Sequence, residues 1–264
     1  MTAPHLQLEL TFLTHAGSKR ANNEDCVAID TRHWQENMSQ PHCLIQSLDR
    51  PHCLLVADGL GGHPAGDIAS RFAAEYLGRW ISSCNTVDKN SLASELQALN
   101  RYLFDRASAT SRQGMGCTIA GIITDLEKLL IFNVGDAIVF RENNGFLAQV
   151  SVSDSPIVSF GEPDRNIDCS TVTQCLGGTL RFQEIEPHVH EQRLIAGRCY
   201  LIATDGLTAA LKLETIEGIL KMKTSHRDAL QHILHTALAS IAPDNLSIIL
   251  LSITATVSNR KNRV

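Results

Sequence analysis

The chain has 264 residues, of which 44% are hydrophobic and 19% charged, a composition typical of soluble globular proteins. Its 23 basic and 28 acidic side chains give a formal net charge of −5, which argues against a non-specific nucleic-acid binder. The longest apolar stretch, 246–257, is interrupted by serine and threonine and is too short to cross a membrane. We therefore expect a cytoplasmic protein without nucleic-acid or membrane partners.

The cysteines and the N-terminal segment support the same compartment. None of the eight cysteines forms a CxxC pair and several lie in apolar runs, so free thiols in a reducing environment are expected. The N-terminal segment lacks the basic region and apolar run of a signal peptide. No linker divides the sequence, which predicts one domain over 1–257 followed by a polar tail at 258–264.

Nine segments with alternating or continuous apolar character predict β-strands. They are 6–12, 26–30, 52–57, 116–124, 129–134, 137–142, 146–152, 199–204 and 246–255. Asn143, Asn144 and Gly145 lie between two of these segments and predict a hairpin, because Asn and Gly tolerate the positive φ of a tight turn.

Apolar residues at helical spacing predict three helices, over 65–82, 91–108 and 226–241. Their apolar stripes are Ile68, Phe72, Tyr76 and Trp80, then Leu92, Leu96, Leu99 and Leu103, then Leu230, Ile233, Leu234, Ala237 and Ile241. Ser225 and Asp228 resemble a capping pair at the start of the third helix. Strands outnumber helices and many are joined as hairpins, which predicts an α+β fold with helices packed on mostly antiparallel sheets.

Five aspartates lie at the ends of predicted strands. They are Asp25, Asp58, Asp136, Asp205 and Asp244. A single aspartate at such a position usually makes a turn or caps a helix, but five from one sheet system are expected to converge on one rim. Such a cluster repels itself unless a cation neutralises it, and hard oxygen ligands favour Mg²⁺ or Mn²⁺ over structural zinc.

Six motifs in this order resemble the metal-dependent protein phosphatase 2C family in its compact bacterial form. They are 20–25 (RANNED), 56–63 (VADGLGGH), 114–118 (GMGCT), 133–136 (NVGD), 203–208 (ATDGLT) and 243–247 (PDNLS). Each motif alone is weak, whereas six in order across most of the chain are specific. The resemblance implies a four-layer α-β-β-α sandwich, with two central, mostly antiparallel sheets flanked by helices and the metals at one end.

The resemblance also implies the roles of individual residues. The implied metal ligands are Glu24, Asp25, Asp58, Gly59, Asp136, Asp205 and Asp244. Asp58 corresponds to the ligand that bridges two ions and Gly59 to the one that contributes its carbonyl, whereas Asp136 corresponds to an acid that shares a third ion with Asp205. Arg20 corresponds to the residue that grips the substrate phosphate, for which its planar guanidinium is suited. The implied catalytic residues are thus Arg20, Asp58 and Asp205.

The implied reaction is hydrolysis of phosphoserine or phosphothreonine in proteins. A water activated by two divalent cations attacks phosphorus in line, while Arg20 and the cations neutralise the developing charge. The implied cofactors are two Mn²⁺ or Mg²⁺ ions, with a third in bacterial members. The implied partners are phosphoproteins, including a serine/threonine kinase and its substrates, and we expect a monomer.

Four histidines are candidates for this chemistry or for a further metal site. His63 is a candidate proton donor to the leaving alkoxide because imidazole titrates near neutrality, and the alternative is a surface or capping role. His15 lies close enough in sequence to Arg20 to approach the site. His188 and His190 alternate as on one strand face, but no third ligand is nearby, so we expect no zinc site there.

The sequence departs from the family pattern near the third metal. Ala137 and Ile138 replace a serine and an arginine, and 153–155 (SDS) replaces a Thr-x-Asp-His segment. The flap between 153–155 and the Leu-Gly-Gly turn at 176–178 is short, and flaps of this kind shape the access of substrate to the site. Two other functions stay open: a non-catalytic phosphoprotein-binding module, which the complete acid set argues against, and a hydrolase of small phosphorylated metabolites.

Overall fold

The computed structural model describes residues 5–60, 65–155, 172–223 and 225–256. The strands in these ranges are β1 (His5–His15), β2 (Asp25–Ile29), β3 (Arg32–Trp34), β4 (His42–Ser47), β5 (His52–Gly59), β6 (Gly116–Asp125), β7 (Lys128–Val134), β8 (Ile138–Asn143), β9 (Phe146–Gln149), β10 (Leu176–Gly177), β11 (His188–Arg193), β12 (Cys199–Ala203) and β13 (Leu246–Thr256). The helices are α1 (Gly66–Ser82), α2 (Lys89–Ala109), α3 (Asp205–Ala210), α4 (Leu213–Met222) and α5 (His226–Ala239).

The strands form two antiparallel sheets. The first, sheet A, has the order β4-β1-β13-β12-β8-β9, and the second, sheet B, has the order β11-β7-β6-β5-β2-β3 with β10 paired to β6. Every neighbouring pair of strands runs antiparallel. Together with the helices, this architecture confirms the predicted α+β class.

Alternating side chains on sheet B separate two apolar cores. Val27 and Ile29 belong to the core shared with sheet A and with α3, α4 and α5. Cys26 and Ala28, which point the opposite way on the same strand, belong to the core under α1 and α2. This period-two alternation places one sheet face on each core, so the layers follow the order α-β-β-α that the resemblance implied.

Helix α1 packs on sheet B through small residues. Its fully buried positions include Ala69, Ala73 and Leu77, whereas the predicted stripe from Ile68 to Trp80 is only partly buried. A Cβ on Gly78 would lie 2.1 Å from the carbonyl oxygen of Asp30. The helix therefore approaches the sheet closely, which only small side chains allow, and the larger aromatics are displaced to its flank. The predicted helix is correct and its predicted buried face is wrong.

The other two predicted helices follow their stripes more closely. Leu92, Leu96, Leu99 and Leu103 of α2 are all fully buried. In α5 the amide of Asp228 donates to the Ser225 hydroxyl (3.1 Å), which confirms the predicted cap. Ile241 was expected in the α5 stripe but lies beyond the helix end, at a φ of 60° and 57% exposed. The chain turns there, so Ile241 leaves the apolar face.

The strand and the hairpin predicted after β8 have different outcomes. The predicted strand 146–152 ends at Gln149. The next two amides, of Val150 and Ser151, both donate to the Val139 carbonyl, so the regular pairing stops there. Asn144 and Gly145 both have positive φ, which confirms the predicted hairpin.

The seven cysteines in the described ranges are free thiols, while Cys169 lies outside them. In the same ranges no helix combines the length and apolar character that crossing a membrane requires. The one-domain division stays a prediction, since the tail at 258–264 is not described.

Candidate active site

The strand ends bring the predicted acids to one end of the sandwich. Asp58 is the last residue but one of β5 and lies opposite Asp25 of β2 in the strand register. Asp136 follows β7, Asp205 opens α3 directly after β12, and Asp244 precedes β13 by two residues. A cavity of about 570 Å³ opens here, and its walls include Arg20, Asp58, Asp136, Asp205 and Asp244.

Asp25 lies buried beneath this cavity at the start of a chain of hydroxyl groups. The Thr204 hydroxyl donates to Asp25 Oδ2 (2.7 Å) and accepts from the Ser247 amide (3.1 Å). The Ser247 hydroxyl is hydrogen-bonded to the hydroxyl of Thr14 (2.8 Å), which in turn accepts from the Asn23 side chain (2.7 Å). This network joins sheet A to sheet B directly under the acidic cluster and orients the Asp25 carboxyl group.

Burial and mutual repulsion make the acids weak. Burial, followed by the charges of Asp25 and Asp205, raises the pKa of Asp58 well above its ordinary value. Burial raises the pKa of Asp25 to about 7, although the Thr204 hydrogen bond opposes this shift. The pKa of Asp136 is raised to about 6 by burial and by the Asp205 charge. Several shifted carboxylates in one place are typical of a functional site, and a bound cation would favour their ionised forms.

The donor chemistry of this cluster fits hard divalent cations. Asp25 Oδ1 and Asp205 Oδ1 are buried and have no hydrogen-bond partner among the described residues. Oxygen donors of this kind suit Mg²⁺ or Mn²⁺, and a cation offsets both the desolvation and the repulsion. In the described ranges no three Asp, Glu, His or Cys side chains already converge as a ready metal cage.

Arg20 and Asp244 form an ion pair at the mouth of the cavity. Arg20 Nη2 lies 2.8 Å from Asp244 Oδ2, and the Arg20 side chain is 45% exposed. The hydrogen bond to Asp244 is the main reason that the pKa of Arg20 is raised, so the guanidinium stays charged. The predicted phosphate-binding residue and one predicted metal ligand thus contact each other directly.

Asn245 fixes the segment that carries Arg20. Its side-chain amide donates to the carbonyls of Ala16 and Asn22 (both 3.0 Å), and its oxygen accepts from the Glu24 amide (2.8 Å). The fit is close, because a Cβ on Gly17 would lie 2.1 Å from the Asp244 carbonyl oxygen. The Asn245 side chain therefore sets the position of the arginine relative to Asp244.

Glu24 and Gly59 lie where α1 begins against β5. The Glu24 carbonyl accepts from the Gly59 amide (3.2 Å) and from the Ser70 hydroxyl (2.5 Å). A Cβ on Gly59 would lie 2.4 Å from the backbone of Gly66, so glycine is needed for this approach. Burial raises the pKa of Glu24, and the nearby Asp67 charge adds to the shift.

Asp154 supports the turn that carries Asp136. The Gly135 amide donates to Asp154 Oδ2 (2.7 Å), and His188 Nε2 lies 2.8 Å from Asp154 Oδ1. Gln174 also donates to Asp154 Oδ2 (2.9 Å). His188 therefore helps to support the edge of the cavity that carries Asp136, while His190 is exposed. The predicted short flap runs from the segment 153–155 to the turn at 176–178, and its residues 156–171 lie outside the described ranges.

The remaining histidines add nothing to the described cavity. His15 Nδ1 accepts from the Gly17 amide (3.0 Å), and its pKa is lowered by burial. It does not line the cavity and instead holds the start of the arginine segment. His63, the candidate proton donor, lies outside the described residues.

Sequence reasoning missed the supporting residues of this site. Thr14, Thr204 and Ser247 are hydroxyl residues inside or beside strongly apolar strands, and all three are fully buried. A buried hydroxyl in an apolar run is a usable signal, because it requires a partner. The clamp formed by Asn245 has a weaker signal, since its partners lie more than 200 residues away along the chain.

The comparison with known families decides the identity. The family model of protein phosphatase 2C matches residues 31–250, which is most of the chain. The chain belongs to the protein phosphatase 2C family. The match includes Asp58, Asp136, Asp205 and Asp244, and it begins after the Arg20 segment. This family consists of metal-dependent protein phosphatases, so the chain is an enzyme of that class, and a non-catalytic binding module is disfavoured.

Individual relatives of this phosphatase come from bacteria. A putative protein phosphatase 2C-type protein of Streptococcus pyogenes is 25% identical over 263 residues, covering 92% of this chain and 97% of that protein. The structure of the serine/threonine phosphatase Stp1 from Staphylococcus aureus has a TM-score of 0.76 and 25% identity, covering 94% of this chain and 96% of that one. The PstP catalytic domain, solved with two manganese ions, has a TM-score of 0.74 and 24% identity, covering 94% and 99%.

Proposed function

We propose that this chain is a serine/threonine protein phosphatase that acts with two Mn²⁺ or Mg²⁺ ions and a third at Asp136. The observation that carries the proposal is the cavity in which four aspartates and Arg20 meet. The names of the relatives, which include serine/threonine phosphatases, support the substrate class. Bound cations would supply a more acidic water and positive charge for the phosphoryl oxygens.

The acids of this chain have distinct parts in the proposal. Asp58 and Asp205 are adjacent, partly buried and line the cavity, so both can contribute oxygen donors to ions at its centre. Asp25 lies below them, where the Thr204 hydrogen bond holds its carboxyl group in one orientation. Asp136 lines the far wall on the turn that Asp154 supports, which suits a separate and weaker ion site.

Arg20 has the geometry of a substrate-binding residue. Its guanidinium lies at the exposed mouth of the cavity and has donors beyond the one that contacts Asp244. A phosphoryl group can accept two parallel hydrogen bonds from it, which orients the group and neutralises charge as the ester bond breaks. The cavity is open enough for a peptide side chain, and Asp25 beneath it is fully buried.

The deciding experiment is hydrolysis of a phosphothreonine peptide with Mn²⁺, with and without chelator. We expect turnover that requires the ion. Asp58→Asn should lower kcat by about a hundredfold or more, and Asp136→Asn by only about tenfold. The exposed Asp105→Asn is the matched control and should match the wild type. Activity that survives complete metal removal would overturn the proposal.

The same assay separates protein from metabolite substrates. Turnover of phosphopeptides should exceed that of small phosphate esters in kcat/KM, because Arg20 and the cavity walls contact more of a peptide. The reverse order would favour the metabolite hydrolase. We further propose that the partners are phosphoproteins, including a serine/threonine kinase and its substrates, and that the protein is a monomer, which sedimentation can test.

A further inference from the structure

A second cavity, of about 760 Å³, shares no wall residue with the acidic site. One wall is the segment 33–42, which connects β3 to β4, and the others carry Arg71 of α1 and Arg227 of α5. Because β3 and β4 are the edge strands of sheets B and A, this arginine cavity opens where both sheets end. One arginine comes from each helical layer.

The walls of the arginine cavity are held in place. The Met38 amide donates to the Thr14 carbonyl (2.9 Å), and the Asn37 side chain accepts from the Ala16 amide (2.7 Å). The Trp34 ring packs against Phe12 with centroids 4.5 Å apart. A cavity with fixed walls needs little reorganisation to accept a ligand, which favours binding.

The charge in this cavity is opposite to that of the whole chain. Arg71 has no ion-pair partner among the described residues, and Arg227 donates only to the uncharged side chain of Gln40 (2.9 Å). Glu36 is the single acidic residue in the wall. Two guanidinium groups with free donors, one from α1 and one from α5, suit carboxylate or phosphoryl oxygens.

The arginine cavity adjoins the acidic site through one helix. Gln35 in its wall donates to the Ser70 hydroxyl (3.1 Å), and Ser70 donates to the carbonyl of Glu24. Ser70 directly precedes Arg71 along α1. A peptide that occupies the arginine cavity therefore binds beside the element that supports Glu24.

We propose that the arginine cavity is a docking site for an acidic segment of a substrate protein. Arg71 and Arg227 bind carboxylates of the segment, and its phosphorylated residue enters the acidic site separately. The nature of the partner rests on the proposed phosphatase function, whereas binding of an acidic peptide does not. The cavity thus adds affinity for protein substrates that small phosphate esters cannot use.

Binding is tested with fluorescein-labelled hexaglutamate, measured by fluorescence anisotropy on the full chain with Mg²⁺ present. We expect Arg71→Gln and Arg227→Gln each to raise Kd by about three- to tenfold. Glu36→Gln should lower Kd, an effect that a misfolded variant cannot produce. Arg193→Gln, an exposed arginine outside both cavities, is the matched control and should leave Kd unchanged.

Three results would overturn the proposal. They are equal Kd values for wild type and the Arg71→Gln/Arg227→Gln double variant, equal binding of labelled hexalysine, and a larger loss of binding from Arg20→Gln than from Arg71→Gln. The last result would place the peptide in the acidic site.

Kinetics separate this proposal from the proposed function. A phosphothreonine peptide with a glutamate-rich tail should have a lower KM than the same peptide with a serine-rich tail. Arg71→Gln should remove that difference while p-nitrophenyl phosphate turnover stays unchanged. If hexaglutamate binding depends on Arg71 but no peptide is hydrolysed, the phosphatase assignment fails and the docking site stands. If hydrolysis is normal and the tail has no effect, the docking proposal fails alone.

Discussion

Replacing Asp58 with asparagine should make the metal-free protein more stable while removing its activity. Asp58 lies beside Asp205 in the cavity wall, and burial followed by the charges of Asp25 and Asp205 raises the pKa of Asp58. The pKa of Asp205 is raised by burial and by the Asp244 charge. Two full charges about 4 Å apart repel by about 4 kcal/mol at an effective dielectric constant of about 20. Proton uptake by the cluster relieves most of this near neutral pH, so we expect Asp58→Asn to recover about 1–2 kcal/mol.

This gain has a defined pH dependence. The folded, metal-free protein keeps protons on Asp25 and Asp136 up to their pKa values of about 7 and about 6, whereas the unfolded chain releases them near pH 4. The folded state therefore binds more protons between these limits, and its stability falls as the pH rises through them. The advantage of Asp58→Asn should accordingly be larger at pH 7.5 than at about pH 5.

The stability of Asp58→Asn can be compared with that of the wild type by differential scanning fluorimetry, which measures the Tm. In chelator at pH 7.5, the Tm of Asp58→Asn should exceed that of the wild type by about 2–8 °C. Adding Mn²⁺ should raise the Tm of the wild type and leave that of the variant nearly unchanged. Asp105→Asn, an exposed acid on α2, should follow the wild type in both conditions. A variant that is less stable than the wild type in chelator, or that gains as much from Mn²⁺, would refute this account of the cluster.

Two further changes test other parts of the site. Arg20→Lys should raise KM for a phosphopeptide by about tenfold with a smaller change in kcat, because lysine keeps the charge but loses the planar pair of donors; an unchanged KM in steady-state assays would remove Arg20 from phosphate binding. Gly206→Ala should lower Tm and activity together, since the new Cβ would lie 1.8 Å from the Asn245 carbonyl oxygen. Gly218 in α4 is the matched control, because a Cβ there meets open space. Gly218→Ala should raise the free energy of unfolding by about 0.5–1 kcal/mol in denaturant unfolding. Equal effects of the two glycine substitutions would contradict the close packing around Asn245.

The sequence predicted elements well where a regular pattern matches one uniform environment. The leucines of α2 repeat at helical spacing and all face the same apolar core, so periodicity alone identified both the helix and its buried face. In α1 the sheet backbone comes so close at Gly78 that alanines occupy the buried face. The stripe of large apolar side chains therefore predicted the wrong face of this helix. Short polar strands such as β3 and β4 were not predicted, because much of their surface faces solvent and their sequences lack a clear apolar alternation.

The acidic residues of the site could be predicted and their contacts could not. Aspartates at strand ends are visible in the sequence, since each lies next to an apolar run, either after it or before it. The pairing of Arg20 with Asp244 joins residues 224 positions apart and depends on how both sheets close. The hydroxyl chain under Asp25 likewise exists only once β1, β12 and β13 are side by side.

The position of β13 has a consequence for how the protein is made. This strand follows all other described elements along the chain, yet it lies in the middle of sheet A, between β1 and β12. During synthesis on the ribosome, β1 cannot pair with β13 until almost the whole chain has been made. Pairings between strands so distant in sequence form slowly. Asp244 and Asn245 arrive immediately before the same strand. A nascent chain therefore has no assembled catalytic centre until the final strand inserts, so incomplete chains cannot act on phosphoproteins.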